Sequence, residues 1–215
     1  KNRFRNPQKG NTMMNQSFSY VHPSDCAPDI QQQLDQHSAH GGLVLLPNGE
    51  YNIAQPVVVD ASSLCFCGEN WACNTDPNGV FETDHGTKLR MRGQGFPAIR
   101  VGMQADPISG AVVRDLGVQG DIRGMDTRPL VRFDDPAQSA GLCMDRVRTD
   151  QREFTKLSFC GCSSGVCIPG NAEIDACTFS RLNVDGCGNG FFFAPRASFY
   201  AHVRSCVLAD NPFYA

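Results

Sequence analysis

Apolar and polar residues alternate with a period of two along most of this chain, in short runs separated by turn residues. Leu43-Val44-Leu45-Leu46, Tyr51-Asn52-Ile53 and Pro56-Val57-Val58-Val59 come first, with Pro47-Asn48-Gly49 as a turn. Thr87 to Arg92, Ala98 to Val101 and Val112 to Val118 continue the style. β-Branched and aromatic residues in such runs suit a half-buried pleated surface, so each run predicts a strand. One segment breaks the pattern. Ser24 or Asp25 can cap a helix with Pro28 in its first turn and Asp29 near its positive end, and Gly41-Gly42 stops it. Its stripe is Ile30 and Leu34, one helical turn apart. Residues 1–23 have no period and predict a flexible or partner-bound arm, leaving 24–215 as one domain.

An internal repeat chooses among all-β architectures. Phe154 to Val166 lies over Phe179 to Phe191 at a displacement of 25 residues, with Phe, Leu, Gly, Cys and Gly identical. Turn glycines and a cysteine reused at one offset are expected of stacked coils rather than of a sandwich. The same displacement places Val207, Ala209 and Asp210 after Leu182, Val184 and Asp185, while Leu116-x-Val118-x-Gly120 resembles Leu157-x-Phe159-x-Gly161. Leu157/Leu182/Val207 and Phe159/Val184/Ala209 are then inward ladders. Between them, Lys156 over Arg181, Ser158 over Asn183 and Cys160 over Asp185, with Asp210 beyond, form an outward polar strip.

Asp29 to Leu34, Gly41 to Tyr51, the strand at Pro56 to Val59, Cys67-Gly68-Glu69, Thr87-Lys88-Leu89 and Ala98 to Val101 together resemble the opening of the pectate-lyase-like superfamily. The likeness covers about residues 24–210. It implies a right-handed parallel β-helix (solenoid) with a short N-terminal capping helix. It also implies either polysaccharide as substrate or ligand, through glycoside hydrolase or lyase chemistry, or a non-catalytic fibre or adhesion subunit. Fold alone does not choose.

Candidate chemistry follows from the strip. Asp185 and Asp210, one coil apart, approach the ~5 to 5.5 Å carboxyl separation of retaining glycosidases. Lys156 or Arg181 could instead abstract a sugar proton for elimination. Asn183, Ser158 and His202 line the same strip, His202 standing 25 residues after Cys177, and Trp71 offers a face for a sugar ring. Asp134-Asp135 is similar to the paired aspartates of polygalacturonase-like hydrolases, but the Asn-Thr-Asp, Gly-His-Gly and Arg-Ile-Lys motifs of that family are missing from the sequence. No cofactor is expected. Calcium is the alternative that clustered carboxylates such as these would suit.

Composition narrows the partners. With 19 Lys+Arg against 22 Asp+Glu in 215 residues, the net charge of −3 gives no overall field for nucleic acid. No apolar run approaches the ~18 to 20 residues of a membrane span. Eleven cysteines are too many for an ordinary cytosolic chain and predict a secreted, disulfide-bearing protein. Cys65, Cys67 and Cys73 are early disulfide candidates. Cys162 and Cys187 share one coil position, and either bond across coils or form a reduced ladder. No paired C-x2-C spacing supports zinc. Phe192 in Phe191-Phe192-Phe193 is expected to point outward. The final Pro212-Phe213-Tyr214-Ala215 carries no capping helix, so another β-helix chain or a second copy is expected to close an open C-terminal end.

Overall fold

The computed structural model describes residues 18–21, 27–72, 86–102, 108–121, 138–144, 148–150, 152–170, 172–194 and 197–209. In chain order the elements are β1 (Phe18–Tyr20), α1 (Ala27–Gln36), β2 (Gly42–Leu46), β3 (Gly49–Ile53), β4 (Val57–Val59) and β5 (Leu64–Gly68). Then come β6 (Thr87–Met91), β7 (Ile99–Val101), β8 (Ile108–Ser109), β9 (Val112–Gln119), β10 (Leu142–Met144) and β11 (Arg148–Asp150). The last are β12 (Glu153–Cys160), β13 (Ser164–Ile168), β14 (Glu173–Asp185), β15 (Asn189–Phe193), β16 (Ser198–Arg204) and β17 (Val207–Ala209). The described residues are mostly β, with one helix, a 12-stranded sheet and a 5-stranded sheet. Every pairing between named strands is parallel, so the chain returns to the same side before each new strand is laid down.

Side chains that meet in register form the core. Phe66, Val113, Phe154 and Phe179 are consecutive neighbours across β5, β9, β12 and β14, all buried. The rings of Phe154 and Phe179 stack with centroids 4.9 Å apart. Leu116, Leu157 and Leu182 form a second row, and Leu89, Val118, Phe159 and Val184 a third. The smaller sheet contributes Val57, Ile99, Leu142 and Val166. Alternation along each strand is thus the cause of the rows: every second side chain faces the shared interior.

The helix forms where the spacing predicts. Ile30 and Leu34 are buried in the core, while Gln32, Asp35 and Gln36 face solvent. The amide of Gln31 does a strand's work: its Nε2 donates to the Val58 carbonyl at 3.2 Å, and its Oε1 accepts from the Val58 N–H at 2.8 Å. Edge strand β4 thereby gains a partner on its open side. The proposed caps Ser24 and Asp25 lie outside the described residues. Within the segment read as a flexible or partner-bound arm, Phe18–Tyr20 pairs with Leu43 to Leu45 of β2 as a strand.

The 25-residue displacement holds between β12 and β14, where Leu157 meets Leu182 and Cys160 meets Asp185. Toward the next strand it holds only over the first three pairs. Pairing runs Asp175 with Tyr200 and then Cys177 with Ala201, so Ala176, at φ 50°, is an extra residue that β16 does not match. Beyond this bulge the offset shortens by one. Asp185 lies beside Ala209 rather than Asp210, Val184 beside Leu208, and His202 beside Thr178 rather than Cys177.

No disulfide bond joins the described cysteines. Cys162 and Cys187 do occupy matching positions in adjacent passes, with the Gly188 N–H donating to the Cys162 carbonyl at 2.9 Å, but as thiols. Burial, reinforced by the hydrogen bond to Cys162, pushes the Cys187 thiol well above its ordinary range. Cys65 and Cys67 are likewise thiols, and Cys73 lies outside the described residues. Phe192 is half-buried and packs against Ala140, Cys143 and Cys167, so the outward position is covered.

Candidate functional site

Three rows of outward residues cross the face formed by β5, the first half of β9 and β12, the middle of β14, and β16. The register places Cys65, Val112, Glu153, Thr178 and His202 in the first row. Cys67, Arg114, Thr155, Ser180 and Arg204 make the second. The third follows one residue later, as Gly68, Asp115, Lys156, Arg181 and Ser205. In its middle the second row has only Thr155 and Ser180, whose hydroxyls bond at 2.8 Å, whereas long side chains surround them. Short residues ringed by long ones make a concavity, here a cleft of about 650 Å³.

The third row is a corner. Asp115, Lys156, Arg181 and Ser205 have φ of 58°, 51°, 54° and 51°, a left-handed conformation costly for residues with a β-carbon. Each strand turns there from one face to the next, and the repeated strain fixes Lys156 and Arg181 at the cleft's rim. Gly68 extends the row under close approach: a β-carbon there would come within 2.2 Å of the Asp115 carbonyl oxygen.

Charge is unevenly satisfied. Asp115, nearly buried, takes an ion pair from Arg114 and another from Lys156 at 3.1 Å. Arg181 and Arg204 have no carboxylate partner among the described residues. Four cations thus line the cleft against two acids, Asp115 and Glu153. At its other end the Cys65 thiol is held down to about 6, first by its hydrogen bond with Cys67 and further by Arg114, against the opposing effect of burial. The Cys67 thiol moves the opposite way, raised by that same hydrogen bond and by burial.

The expected single strip is divided by this corner. Lys156 and Arg181 line the cleft, and His202 is exposed at the end of its first row. Ser158, Asn183 and Asp185 lie on the following face. There Ser158 and Cys160 are buried rather than outward in solvent. The cover over Ser158 is Trp71, which bridges to Thr87 and donates its indole N–H to the Ser158 hydroxyl at 2.7 Å. Two sugar-contact candidates 87 residues apart are therefore brought together, but the serine serves the tryptophan. Asn183 is half-buried between Ser158 and Val207. Asp185, half-buried, stands beside Cys160 and Ala209, so the carboxylate dyad does not form through this register. Asp210, Asp134 and Asp135 lie outside the described residues. Among the described residues no group of three or more His, Cys, Asp or Glu is placed to hold a metal ion.

Sequence reasoning missed Arg114, Asp115, Thr155, Ser180 and Arg204, and did not see Cys65 as a reactive thiol. In the sequence Cys65 stands besides as a candidate zinc ligand, and a signal for Asp115 was present: the match of Leu116 to Leu157, carried back one residue, sets Asp115 over Lys156. Compared with family models and with curated proteins, the sequence matches none.

Proposed function

We propose that this chain is a secreted, right-handed parallel β-helix of the pectate-lyase-like kind whose cleft binds acidic polysaccharide. Arg181 and Arg204, without a carboxylate partner among the described residues, carry the reading: two cations on a concave surface floored by the Thr155 and Ser180 hydroxyls. Guanidinium forks suit carboxylate or sulfate groups, and hydroxyls suit sugar hydroxyls. From Arg114 to Arg204 the cleft crosses three strand spacings, ~14 Å, enough for several consecutive sugar units. Should the cleft also cleave, elimination with Lys156 or Arg181 as base fits better than hydrolysis through Asp185, which lies beyond the corner.

Binding of polygalacturonate and of neutral dextran, measured by affinity electrophoresis at two salt concentrations, tests this. Polygalacturonate should bind and weaken with salt, and Arg181→Glu with Arg204→Glu should lower affinity about tenfold or more. Equal binding of dextran, or affinity indifferent to the double substitution, overturns the reading. Release of an unsaturated product, absent in Arg181→Ala, would add catalysis.

A second reading is a fibre or adhesion subunit assembled through its ends. It is favoured by apolar side chains exposed on the terminal strands: Phe18 and Tyr20 at 56% and 52% on β1, and Val203 and Val207 at 47% and 57% on β16 and β17. Sedimentation separates the two, since polymers are required only by the second. No helix among the described residues is long and apolar enough to cross a membrane.

A further inference from the structure

Cys65 and Cys67 stand on either side of Phe66, whose ring is wholly buried in the core. Strand alternation therefore puts both sulfurs on the outer side of β5. Cys67 is buried, whereas Cys65 is half-buried and lines the cleft. Arg114, which pairs with Cys67 across the two strands, lines the same wall of the cleft as Cys65. Arg114 is in turn held by Asp115. On the β2 side the neighbours are Leu43 and Leu45, which bring no charge. The charged groups facing the sulfur across the cleft are Arg114 and Asp115 on β9, Glu153 and Lys156 on β12, Arg181 on β14 and Arg204 on β16. Cations prevail among them.

A half-buried sulfur at the wall of a cleft lined by four cations, Arg114 nearest in the strand register, has the surroundings of a reactive cysteine rather than a structural one. We propose that Cys65 is a nucleophilic thiol, and that the cleft brings it small anionic disulfides of the oxidised-glutathione class for thiol–disulfide exchange. The Cys65 sulfur attacks one sulfur of the incoming disulfide. A protein–S–S–R bond forms as the original S–S bond breaks, and the leaving thiolate departs with the electron pair and takes a proton from water. The number of disulfides is unchanged, so no further oxidant is consumed, and excess free thiol reverses the step.

Cys67 does not act as a resolving thiol. Alternate residues of an extended strand have Cα atoms ~6.6 Å apart, at the upper limit of the ~4.4 to 6.8 Å a disulfide spans. Phe66, locked in the core between them, opposes the bending that would shorten that distance. The mixed disulfide at Cys65 therefore persists. Nothing in this step depends on the polysaccharide reading.

The test is reaction of the native protein with 5,5′-dithiobis(2-nitrobenzoate), an anionic disulfide, followed over pH and by peptide mapping. A thiol held at about 6 rather than 9.0 is half ionised at pH 6. After allowing for the lower nucleophilicity of a less basic sulfur, it should react about 20-fold faster there than an ordinary cysteine. The expected result is one rapid equivalent per chain, mapped to Cys65, with a rate midpoint near 6. Cys65→Ser should abolish that equivalent. Arg114→Gln and Cys67→Ala, which keep the nucleophile, should each move the midpoint upward and slow the reaction at pH 6. A rapid equivalent mapping to any cysteine but Cys65, including Cys206, which is also half-buried, overturns the proposal. So does a midpoint that neither substitution moves.

Discussion

Replacement of Arg181 by glycine should make this protein more stable while weakening its cleft. Arg181 is exposed, has no carboxylate partner among the described residues, and is held at φ 54°. The left-handed conformation costs a residue with a β-carbon ~1–2 kcal/mol, and glycine is released from that penalty. Glycine gives up ~0.5–1 kcal/mol more backbone entropy than alanine on folding, which offsets part of the gain. Comparison of Arg181→Gly with Arg181→Ala isolates the backbone, because both lose the guanidinium. At an ordinary strand position alanine wins; here glycine should win by ~0.5–1 kcal/mol. For a chain of 215 residues that is about 1–4 °C in melting temperature. Urea unfolding followed by far-ultraviolet dichroism, with an unchanged m value, measures it. Glycine less stable than alanine would show that the corner is not strained, and the argument from repeated positive φ would fall.

Asp115→Asn should lower stability by ~1–2 kcal/mol, discounted because Arg114 and Lys156 are partly exposed, and should tighten polygalacturonate binding by freeing both cations; unchanged affinity refutes the charge assignment. Ser158→Ala should cost ~1 kcal/mol by leaving the indole N–H of Trp71 without its acceptor, and should shift the emission of this sole tryptophan. Gly120→Ala places a methyl 2.0 Å from the Gly161 carbonyl oxygen, so a loss of at least ~2 kcal/mol is expected in thermal unfolding. The paired thiols make stability depend on pH with two opposite signs. Cys65 is lowered to about 6 from 9.0, so its contribution is full above 9.0 and fades as pH falls through 6. Cys67 is raised, so its contribution is full below 9.0 and is lost on the alkaline side. Unfolding titrations of wild type and Cys65→Ala/Cys67→Ala should therefore diverge most near pH 9; parallel curves would contradict the hydrogen-bonded pair.

The strands and the helix were legible because their signals are local: period two for β2, β3, β4 and β9, and Ile30 with Leu34 for α1. The pairing of β12 with β14 was legible because the repeat preserves its length across that interval. Ala176 ended that regularity. A single bulged residue leaves no mark in composition or period, yet it sets Ala209 where Asp210 was expected. The facing of Ser158 failed for another reason. Alternation correctly puts it outside the core, but whether an outside position is wet depends on what crosses it, and Trp71 arrives from a distant loop. The cleft was partly readable: Lys156 and Arg181 were placed in one row, while Arg114, Asp115 and Arg204 come from passes whose lengths differ.

Stability alone does not explain why Arg181 stands at the corner. It combines an unfavourable backbone with a like-charged neighbour, Lys156, on the adjacent strand. A bound polyanion reverses the sign of the second effect, since one carboxylate between the two cations attracts both. Ligand should therefore invert the order of the variants. Without polysaccharide, Arg181→Gly melts above wild type; with polygalacturonate at a hundred times the wild-type Kd, wild type gains ~2.7 kcal/mol and the weaker-binding variant less. With affinity reduced tenfold, the variant gains ~1.4 kcal/mol, so wild type is ahead by ~1.3 kcal/mol from ligand alone, more than the ~0.5–1 kcal/mol that relief of strain leaves after glycine's entropy cost. Melting curves that keep the same order at every ligand concentration would mean that Arg181 strains the corner without serving the cleft.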